Sequence, residues 1–125
     1  MACRFSELVV DSRDPEALAA FWAAVLDYRV LSRTDGVVEI GPGAGFGGPA
    51  PTLVFAPVPD PTPGKNRLHI DLSPTDRDQA AELERLLALG ATPADVGQAG
   101  EESWHVLADP EGNQFCLLRR RLDPL

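Results

Sequence analysis

The sequence predicts an α+β fold of two βαβββ modules, and the main support for it is a repeat within the chain. Residues 7–22 and 69–84 follow the same pattern 62 positions apart: a short apolar strand, a polar turn with an acidic residue, and an apolar-periodic helix. A repeat near half the chain length is typical of two similar modules related by pseudo-symmetry. Each sheet must bury one face under its helix, and the other face is then expected to wall a cleft.

Length, charge and hydropathy limit the classes of protein that fit. The 125 residues fit one domain, with module one over about 4–56, a proline-rich linker over 57–66 and module two over about 67–121. A net charge of −8 disfavours nucleic acid as a partner, because phosphate backbones would be repelled. No apolar run approaches ~18 residues, so we expect no membrane span. The N-terminus lacks a signal-peptide pattern and the chain has two cysteines, which favours a cytoplasmic protein with free thiols.

The first module has clear start and turn signals. Asp14 is the expected N-cap of a helix and Pro15 its first residue, since proline is preorganised for that position. Asp35 and Gly36 form the expected hairpin turn. The predicted elements are a strand over Phe5–Val10, a helix from Pro15 to about Leu26 that buries Leu18, Phe21, Trp22, Val25 and Leu26, a hairpin of Tyr28–Leu31 and Val37–Ile40, a Gly/Pro-rich loop over Gly41–Pro51, and a strand over Thr52–Ala56.

The second module repeats this order after the linker. Its helix is expected over about Asp76–Leu89 and ends at Gly90 as a left-handed cap. Asp109–Asn113 is expected to form a tight turn. The helix residues predicted to be buried are Ala80, Leu83, Leu86 and Leu87. The predicted strands are Arg67–Leu72, Thr92–Val96, Ser103–Ala108 and Phe115–Arg119.

Period-2 alternation predicts which side chains point away from the helices. The helix-facing row of the second module is predicted to be Leu68, Ile70 and Leu72. The side chains predicted to point the other way are Glu7 and Val9 in the first module, and His69, Asp71, Gln114, Cys116 and Leu118 in the second. Polar residues therefore gather on the faces away from the helices, where we expect the pocket.

Four segments of the chain resemble the vicinal oxygen chelate superfamily, which includes glyoxalases, bleomycin-resistance proteins and extradiol dioxygenases. These segments are Asp14–Tyr28, Lys65–Leu72, Leu89–Thr92 and Asp109–Cys116, in the expected order over nearly the whole chain. The resemblance is greatest to the actinobacterial glyoxalase-like branch. It implies the paired-module fold, but this fold supports several chemistries and does not by itself determine a function.

The resemblance also implies where a metal would bind, because metal-binding members take ligands from the first and last strand of each module. The matching positions here are Glu7, His69 and Cys116, whereas Thr52–Ala56 offers no imidazole, carboxylate or thiolate. We therefore expect no metal or a weakly bound divalent ion, with zinc the best match to oxygen, nitrogen and sulfur donors. An iron(II) dioxygenase site is disfavoured, because it needs two histidines and a carboxylate.

Each candidate site residue also has a structural alternative. His69 is a catalytic base, a metal ligand or a pocket histidine bonded to Asp71 or to a backbone carbonyl. Glu7 is a base or a ligand, or it pairs with Arg4 or Arg67. Cys116 is a ligand, a nucleophile or a small buried hydrophobe. Asp71 either orients the His69 ring or pairs with a surface cation.

Two functions remain open on the resemblance. The first is a glyoxalase-like lyase or isomerase, in which Glu7 or His69 moves a proton on a small, largely apolar metabolite. The alternative is a bleomycin-resistance-type protein that binds and sequesters such a molecule without catalysis. Both imply a small-molecule ligand between the two sheets, and we expect a homodimer. The predicted ligand contacts are Val9, Phe55, Asp71, Trp104 and Leu118, with Gly41–Pro51 as a lid.

Overall fold

The structure is a computed structural model that describes residues 2–61, 64–94 and 103–125. The described residues form two four-stranded sheets and two helices, which confirms the predicted α+β class with paired βαβββ modules. The chain divides into two compact units, Met1–Pro63 and Gly64–Leu125. Their boundary falls within the predicted linker, and the assignment of both units to one domain stays a prediction. Neither helix is long and apolar enough, among the described residues, to cross a membrane.

Unit one has a mixed sheet with strand order β1-β4-β3-β2. Strands β1 and β4 run parallel, and the other neighbours are antiparallel. Its elements are β1 (Glu7–Ser12), α1 (Pro15–Leu26), β2 (Arg29–Thr34), β3 (Val37–Gly41) and β4 (Thr52–Pro57). All the predicted elements are present, and β1 and β2 extend further along the chain than the sequence pattern indicates.

Local chemistry explains where these elements begin and end. The Ala17 backbone N–H donates to the Asp14 side chain at 3.2 Å, so Asp14 caps α1 as predicted and Pro15 follows it. Asp35 and Gly36 have φ values of 53° and 82°. Two successive positive φ values give the tight hairpin turn whose twist matches the flanking strands.

The core of unit one lies between α1 and the sheet, and it corrects one predicted ligand contact. The buried side chains of α1 are Leu18, Ala19, Phe21, Trp22 and Val25, which confirms the predicted stripe apart from Leu26, which is half-buried. Phe55 has 0% exposed surface, and it lies two positions after buried Leu53, on the same face of β4. The prediction that Phe55 contacts a ligand was therefore wrong, because its side chain belongs to the helix-facing core row.

Unit two repeats the layout with strand order β5-β8-β7-β6. Its elements are β5 (Ile70–Leu72), α2 (Gln79–Leu89), β6 (Thr92–Pro93), β7 (His105–Ala108) and β8 (Gln114–Leu117). In unit one Val9 is the register partner of Val54, and in unit two Asp71 is the partner of Cys116. Val9 and Asp71 are 62 residues apart, and so are Val54 and Cys116, so both pairs keep the spacing of the repeat. The predicted end of β6 at Val96 lies outside the described residues.

Helix α2 begins three residues later than predicted. Asp78, not Asp76, is its N-cap and accepts a hydrogen bond from the Ala81 backbone N–H at 2.9 Å. Pro74 is fully buried between β5 and α2, and this connection is longer than its counterpart in unit one. The predicted buried stripe of α2 is confirmed only in part: Leu86 is buried and Leu83 half-buried, but Ala80 and Leu87 are exposed.

Two further features of unit two bear on the site. Leu68 is 81% exposed, because β5 begins only at Ile70, and its predicted place in the helix-facing row was wrong. The predicted turn after β7 is confirmed, since the Asp109 carboxylate accepts from the backbone N–H groups of Glu111 and Asn113 at 2.9 Å each. Gly112 in that turn has a φ of 87°, which favours glycine.

Candidate functional site

A concave site of about 470 Å³ lies within unit two, on the sheet face opposite the buried row of Leu107, Phe115 and Leu117. Three neighbouring strands build its floor, because Cys116 is the register partner of both Asp71 on β5 and Val106 on β7. The other residues around it are His69, Lys65, Trp104, Gln114, Phe115 and Leu118. Its size and its apolar walls with a few polar groups are typical of small-molecule sites.

An imidazole and a carboxylate are paired at one side of this site. The Nε2 atom of His69 lies 3.1 Å from Oδ1 of Asp71, and both side chains are about half exposed. The two residues lie two positions apart at the start of β5, so their side chains leave the same face. When Nε2 of a neutral ring donates to the carboxylate, Nδ1 is left as a proton acceptor. This pair can therefore take a proton from a bound molecule.

The Cys116 thiol is the buried member of the group. Burial raises the pKa of Cys116, the negative charge of Asp71 and a hydrogen bond to its side chain raise it further, and Lys65 acts in the opposite direction. A raised pKa keeps the thiol protonated, which disfavours a role as a nucleophile. The Asp71 carboxylate thus lies beside both the His69 ring and the Cys116 thiol.

The same three side chains can also hold a metal ion. One possible ligand atom from each of His69, Asp71 and Cys116 lies within 4.8 Å of the other two. Nitrogen, oxygen and sulfur donors together fit zinc. They fit manganese or magnesium poorly, because those ions prefer oxygen ligands and do not favour a thiolate.

The structure places the predicted site residues in two groups. His69, Asp71, Cys116, Trp104 and Leu118 come together around the site in unit two. Trp104 and His105 are neighbours in the chain and point to opposite faces. Trp104 lines the site and His105 does not, so the tryptophan side chain is the one that points toward the site.

Glu7 and Val9 lie on β1 in unit one, and both are exposed. Glu7 is the register partner of buried Thr52, whose hydroxyl donates to Glu39 at 3.0 Å. Arg4, one possible partner of Glu7, instead donates to the carbonyls of Gly47 and Gly48 at 3.0 and 2.7 Å. A cleft shared by Glu7 and His69 stays a prediction.

Four residues of the site were not among the predicted contacts: Lys65, Val106, Gln114 and Phe115. Gln114 stands in the same alternating row as Cys116 and Leu118, and strand periodicity had placed it on that face without naming it as a contact. Val106 lies two positions after Trp104, so the same periodicity places it at the site once Trp104 is known to point there. Lys65 lies outside any strand, before β5, and no sequence pattern places its side chain near Cys116.

Comparisons with known proteins agree with the fold. The sequence profile of the glyoxalase-like domain family matches residues 7–118. No curated protein sequence matches the chain. A glyoxalase/bleomycin resistance protein/dioxygenase family enzyme from Burkholderia phytofirmans PsJN has a TM-score of 0.69 and 19% identity, over 92% of this chain and 97% of that chain.

Two fosfomycin resistance proteins named FosX are similar to the same extent. The protein from Mesorhizobium loti has a TM-score of 0.69 and 18% identity, over 94% of this chain and 92% of its own. The protein from Listeria monocytogenes, solved with Mn(II) and sulfate, has a TM-score of 0.71 and 14% identity, over 95% and 91%. At these identities the likeness shows the fold alone, but the family profile spans most of the sequence. The chain therefore belongs to the glyoxalase-like domain family.

Proposed function

We propose that the concave face of unit two binds a small, largely apolar molecule, and that His69 exchanges a proton with it in a glyoxalase-like lyase or isomerase reaction. The observation that carries this proposal is the pairing of His69 with Asp71 on the same face as an exposed tryptophan. Nε2 and Oδ1 are 3.1 Å apart, and Trp104 is 39% exposed beside them. One face thus presents a proton acceptor and a surface for an apolar body.

The apolar part of the site favours an aromatic ligand. Trp104, Val106 and Leu118 supply the apolar surface, and a tryptophan ring stacks well against a flat partner. The polar groups around it are few. The Gln114 amide can both donate and accept a hydrogen bond, and the Lys65 ammonium can attract an oxygen atom of the ligand.

The proton chemistry follows from the His69–Asp71 pair. In a lyase or isomerase reaction, His69 takes a proton from a carbon next to a carbonyl group, and Asp71 stabilises the imidazolium that forms. The proton then returns to the ligand at the same or a neighbouring atom. Glu7 is a second proposed proton acceptor, and its part in this reaction rests on the predicted shared cleft.

The metal content of this chain is part of the proposal. A similar protein, FosX from Listeria monocytogenes, was solved with Mn(II). In this chain Val54 holds the position in unit one that matches Cys116, and valine cannot bind a metal. We therefore expect no metal or a weakly held divalent ion, with zinc the best match.

The alternative function is sequestration of a small molecule without catalysis. The observation that favours it is the residue type at two positions. Val54 and Cys116 occupy the last strand of each module, where the resemblance implies metal ligands. A protein with a weak metal site or none can still bind a ligand through Trp104 and the His69–Asp71 pair. Residence in the cytoplasm, a homodimer and the actinobacterial branch are further proposals.

Ligand binding and turnover can be tested in one series. A panel of neutral and anionic aromatic metabolites is screened by thermal shift, and each stabilising compound is incubated with the protein in D₂O. Incorporation of deuterium into a recovered compound, measured by mass spectrometry, supports the lyase or isomerase. Recovery of every bound compound unlabelled supports sequestration.

The chain offers a matched control for this series, since it has two histidines. His69→Ala should weaken binding by roughly 1–3 kcal/mol, the range for losing a buried hydrogen bond. His105→Ala should leave binding unchanged. Stabilisation by highly charged compounds alone, equal in both variants, would contradict the proposal.

A further inference from the structure

We infer that Lys65 selects a ligand with a single carboxylate group, so that the molecule bound by unit two is an aromatic monocarboxylate. The inference rests on the proposed function and deepens it, because it names the substrate class and the residue that selects it. Lys65 is the only lysine of the chain. It lies among the residues around the site, and none of the arginines, all of which the structure describes, is among them. One side chain therefore supplies the permanent positive charge of the site.

The Lys65 ammonium is available to a ligand. It forms no ion pair with another residue of the described ranges. The carboxylate of the site, Asp71, lies 3.1 Å from the His69 ring instead. Burial is the main cause of the raised pKa of Cys116, but Asp71 adds to it and Lys65 opposes it, so both charges lie close to the floor of the site. The lysine can thus pair with a ligand without losing an ion pair within the protein.

The charges of the site fit one carboxylate better than a phosphate group. The lysine ammonium is a compact point charge with three donors, and it can pair with a carboxylate oxygen. A phosphate monoester carries about two negative charges at neutral pH, and Asp71 on the same face would repel the second. The exposed Trp104 ring lines the same site and can cover an aromatic group. An aromatic ring with one carboxylate uses both features.

The segment that carries Lys65 is fixed to the turn before β8. The Asn66 side-chain amide donates to Oδ1 of Asn113 at 2.9 Å. The Asn113 amide donates in turn to the Asp109 carboxylate at 2.9 and 3.2 Å, and Asp109 is only 4% exposed. Strand β8 follows this turn and carries Cys116, the floor of the site. The turn therefore holds the lysine segment beside the site, and Asn66 is a positioning residue for Lys65.

Matched pairs of compounds test the selection of a carboxylate. Phenylacetate and 1-naphthylacetate are each compared with their primary amides, and phenyl phosphate is added as a dianion, with affinities measured by ligand-observed NMR titration. Each acid should bind more tightly than its amide by about 5-fold, the upper end for an exposed ion pair. Phenyl phosphate should bind more weakly than phenylacetate. Added salt should reduce the preference for the acids, since salt screens exposed charges.

Variants assign the preference to Lys65. Lys65→Met should bind acid and amide equally and keep the amide affinity of the parent, and Lys65→Arg should restore the preference in part. Arg67→Met is the matched control, since it removes a positive charge two positions away that is not around the site. Asn66→Ala should reduce the preference without changing the amide affinity, whereas a loss of fold would weaken both compounds alike.

Chemical labelling gives a second measurement that needs no variant. Because the chain has one lysine, acetylation at Lys65 can be followed by peptide mass spectrometry. The acids should slow this acetylation, and the amides should not. Equal protection by acid and amide, or an undiminished preference in Lys65→Met, would overturn the inference.

The two proposals fail in different ways. His69→Ala tests the proposed function and should weaken acid and amide alike, whereas Lys65→Met should affect the acid alone. Amides that bind as tightly as the acids, and that depend on His69, would overturn the inference and leave the proposed function in place. Tighter binding of phenyl phosphate than of phenylacetate would also overturn it, and binding of none of these compounds would count against both.

Discussion

At the scale of single residues, Asp71 has the central place in the site. Its Oδ1 atom lies 3.1 Å from Nε2 of His69, its side chain makes a hydrogen bond with the Cys116 thiol, and it is the register partner of Cys116 in the sheet. Its negative charge disfavours a thiolate at Cys116 and helps to raise the pKa of that thiol. One carboxylate thus contacts the imidazole and disfavours reaction at Cys116.

Thiol reactivity measures this effect of Asp71. Because burial and Asp71 raise the pKa of Cys116, its thiol should react slowly with iodoacetamide until well above the ordinary thiol pKa. Removing the charge in Asp71→Asn should lower that pKa and increase the alkylation rate at mildly alkaline pH. Both proteins carry Cys3→Ser, so that only Cys116 reports.

The direction in which Asp71→Asn changes the alkylation rate of Cys116 distinguishes the possible causes of the raised pKa. An unchanged rate profile in Asp71→Asn would mean that burial alone sets the pKa of Cys116. A slower reaction would contradict the contact between the two side chains.

At the scale of elements, the start of α2 shows how a local signal can mislead. Asp76 and Asp78 both precede an apolar-periodic segment, and the repeat favours Asp76 because it matches Asp14. The structure has Asp78 as the cap, while Asp76 bonds to the neighbouring Arg77 at 3.3 Å. Burial of Pro74 lengthens the connection and moves the first helical turn.

Substitution of the two aspartates tests this assignment. Asp78→Ala should lower the free energy of unfolding by about 1 kcal/mol, since an N-cap side chain satisfies a backbone N–H that is otherwise without a partner. Asp76→Ala should cost little, because an exposed ion pair contributes little to stability. Urea unfolding of both variants measures the difference, and a larger loss in Asp76→Ala would contradict the observed cap.

The Gly41–Pro51 loop is the second element that needs a test. The Tyr28 hydroxyl donates to the Pro51 carbonyl at 2.9 Å, and Arg29 donates to the Gly43 carbonyl at 3.2 Å. With the Arg4 contacts to Gly47 and Gly48, these bonds hold the loop at several points. Arg4→Ala should therefore increase proteolytic nicking within the loop, and an unchanged nicking rate would show that these bonds are not needed to hold it.

At the scale of the whole molecule, metal content bears on the choice between an enzyme and a sequestration protein. The donor set offers one nitrogen, one oxygen and one sulfur within 4.8 Å of one another, and the thiol must lose its proton before sulfur can bind. That proton is held more firmly than usual, because burial and Asp71 raise the pKa of Cys116. Metal affinity at neutral pH should therefore be low.

Metal analysis of protein purified without a tag checks this expectation. We expect the chain to purify largely free of metal, with at most a minor fraction of zinc that a chelator removes. Stoichiometric nickel, iron or zinc that resists a chelator would contradict it. Such a result would also strengthen the enzyme over the sequestration protein.

Much of the fold and part of the site could be predicted from local sequence signals. The repeat, the strand alternation and the turn residues at Asp35 and Gly36 depend on chemistry within a few positions of each residue, so they are readable without a structure. The same alternation placed His69, Asp71, Cys116 and Leu118 on the side away from the helix. It could not exclude Phe55, because a short apolar strand reads equally well in either register.

The sequence by itself determined the module pattern and placed His69, Asp71, Cys116 and Leu118 on one face. Only the tertiary structure decided which of those residues meet: Asp71 reaches Cys116 through the register of β5 with β8, and Lys65 approaches them from outside any strand. The physical reason is that alternation is a property of one strand, whereas register is set by packing between strands far apart in the chain. The family resemblance implies Glu7 as a third ligand, whereas the sheet places Asp71 beside His69 and Cys116.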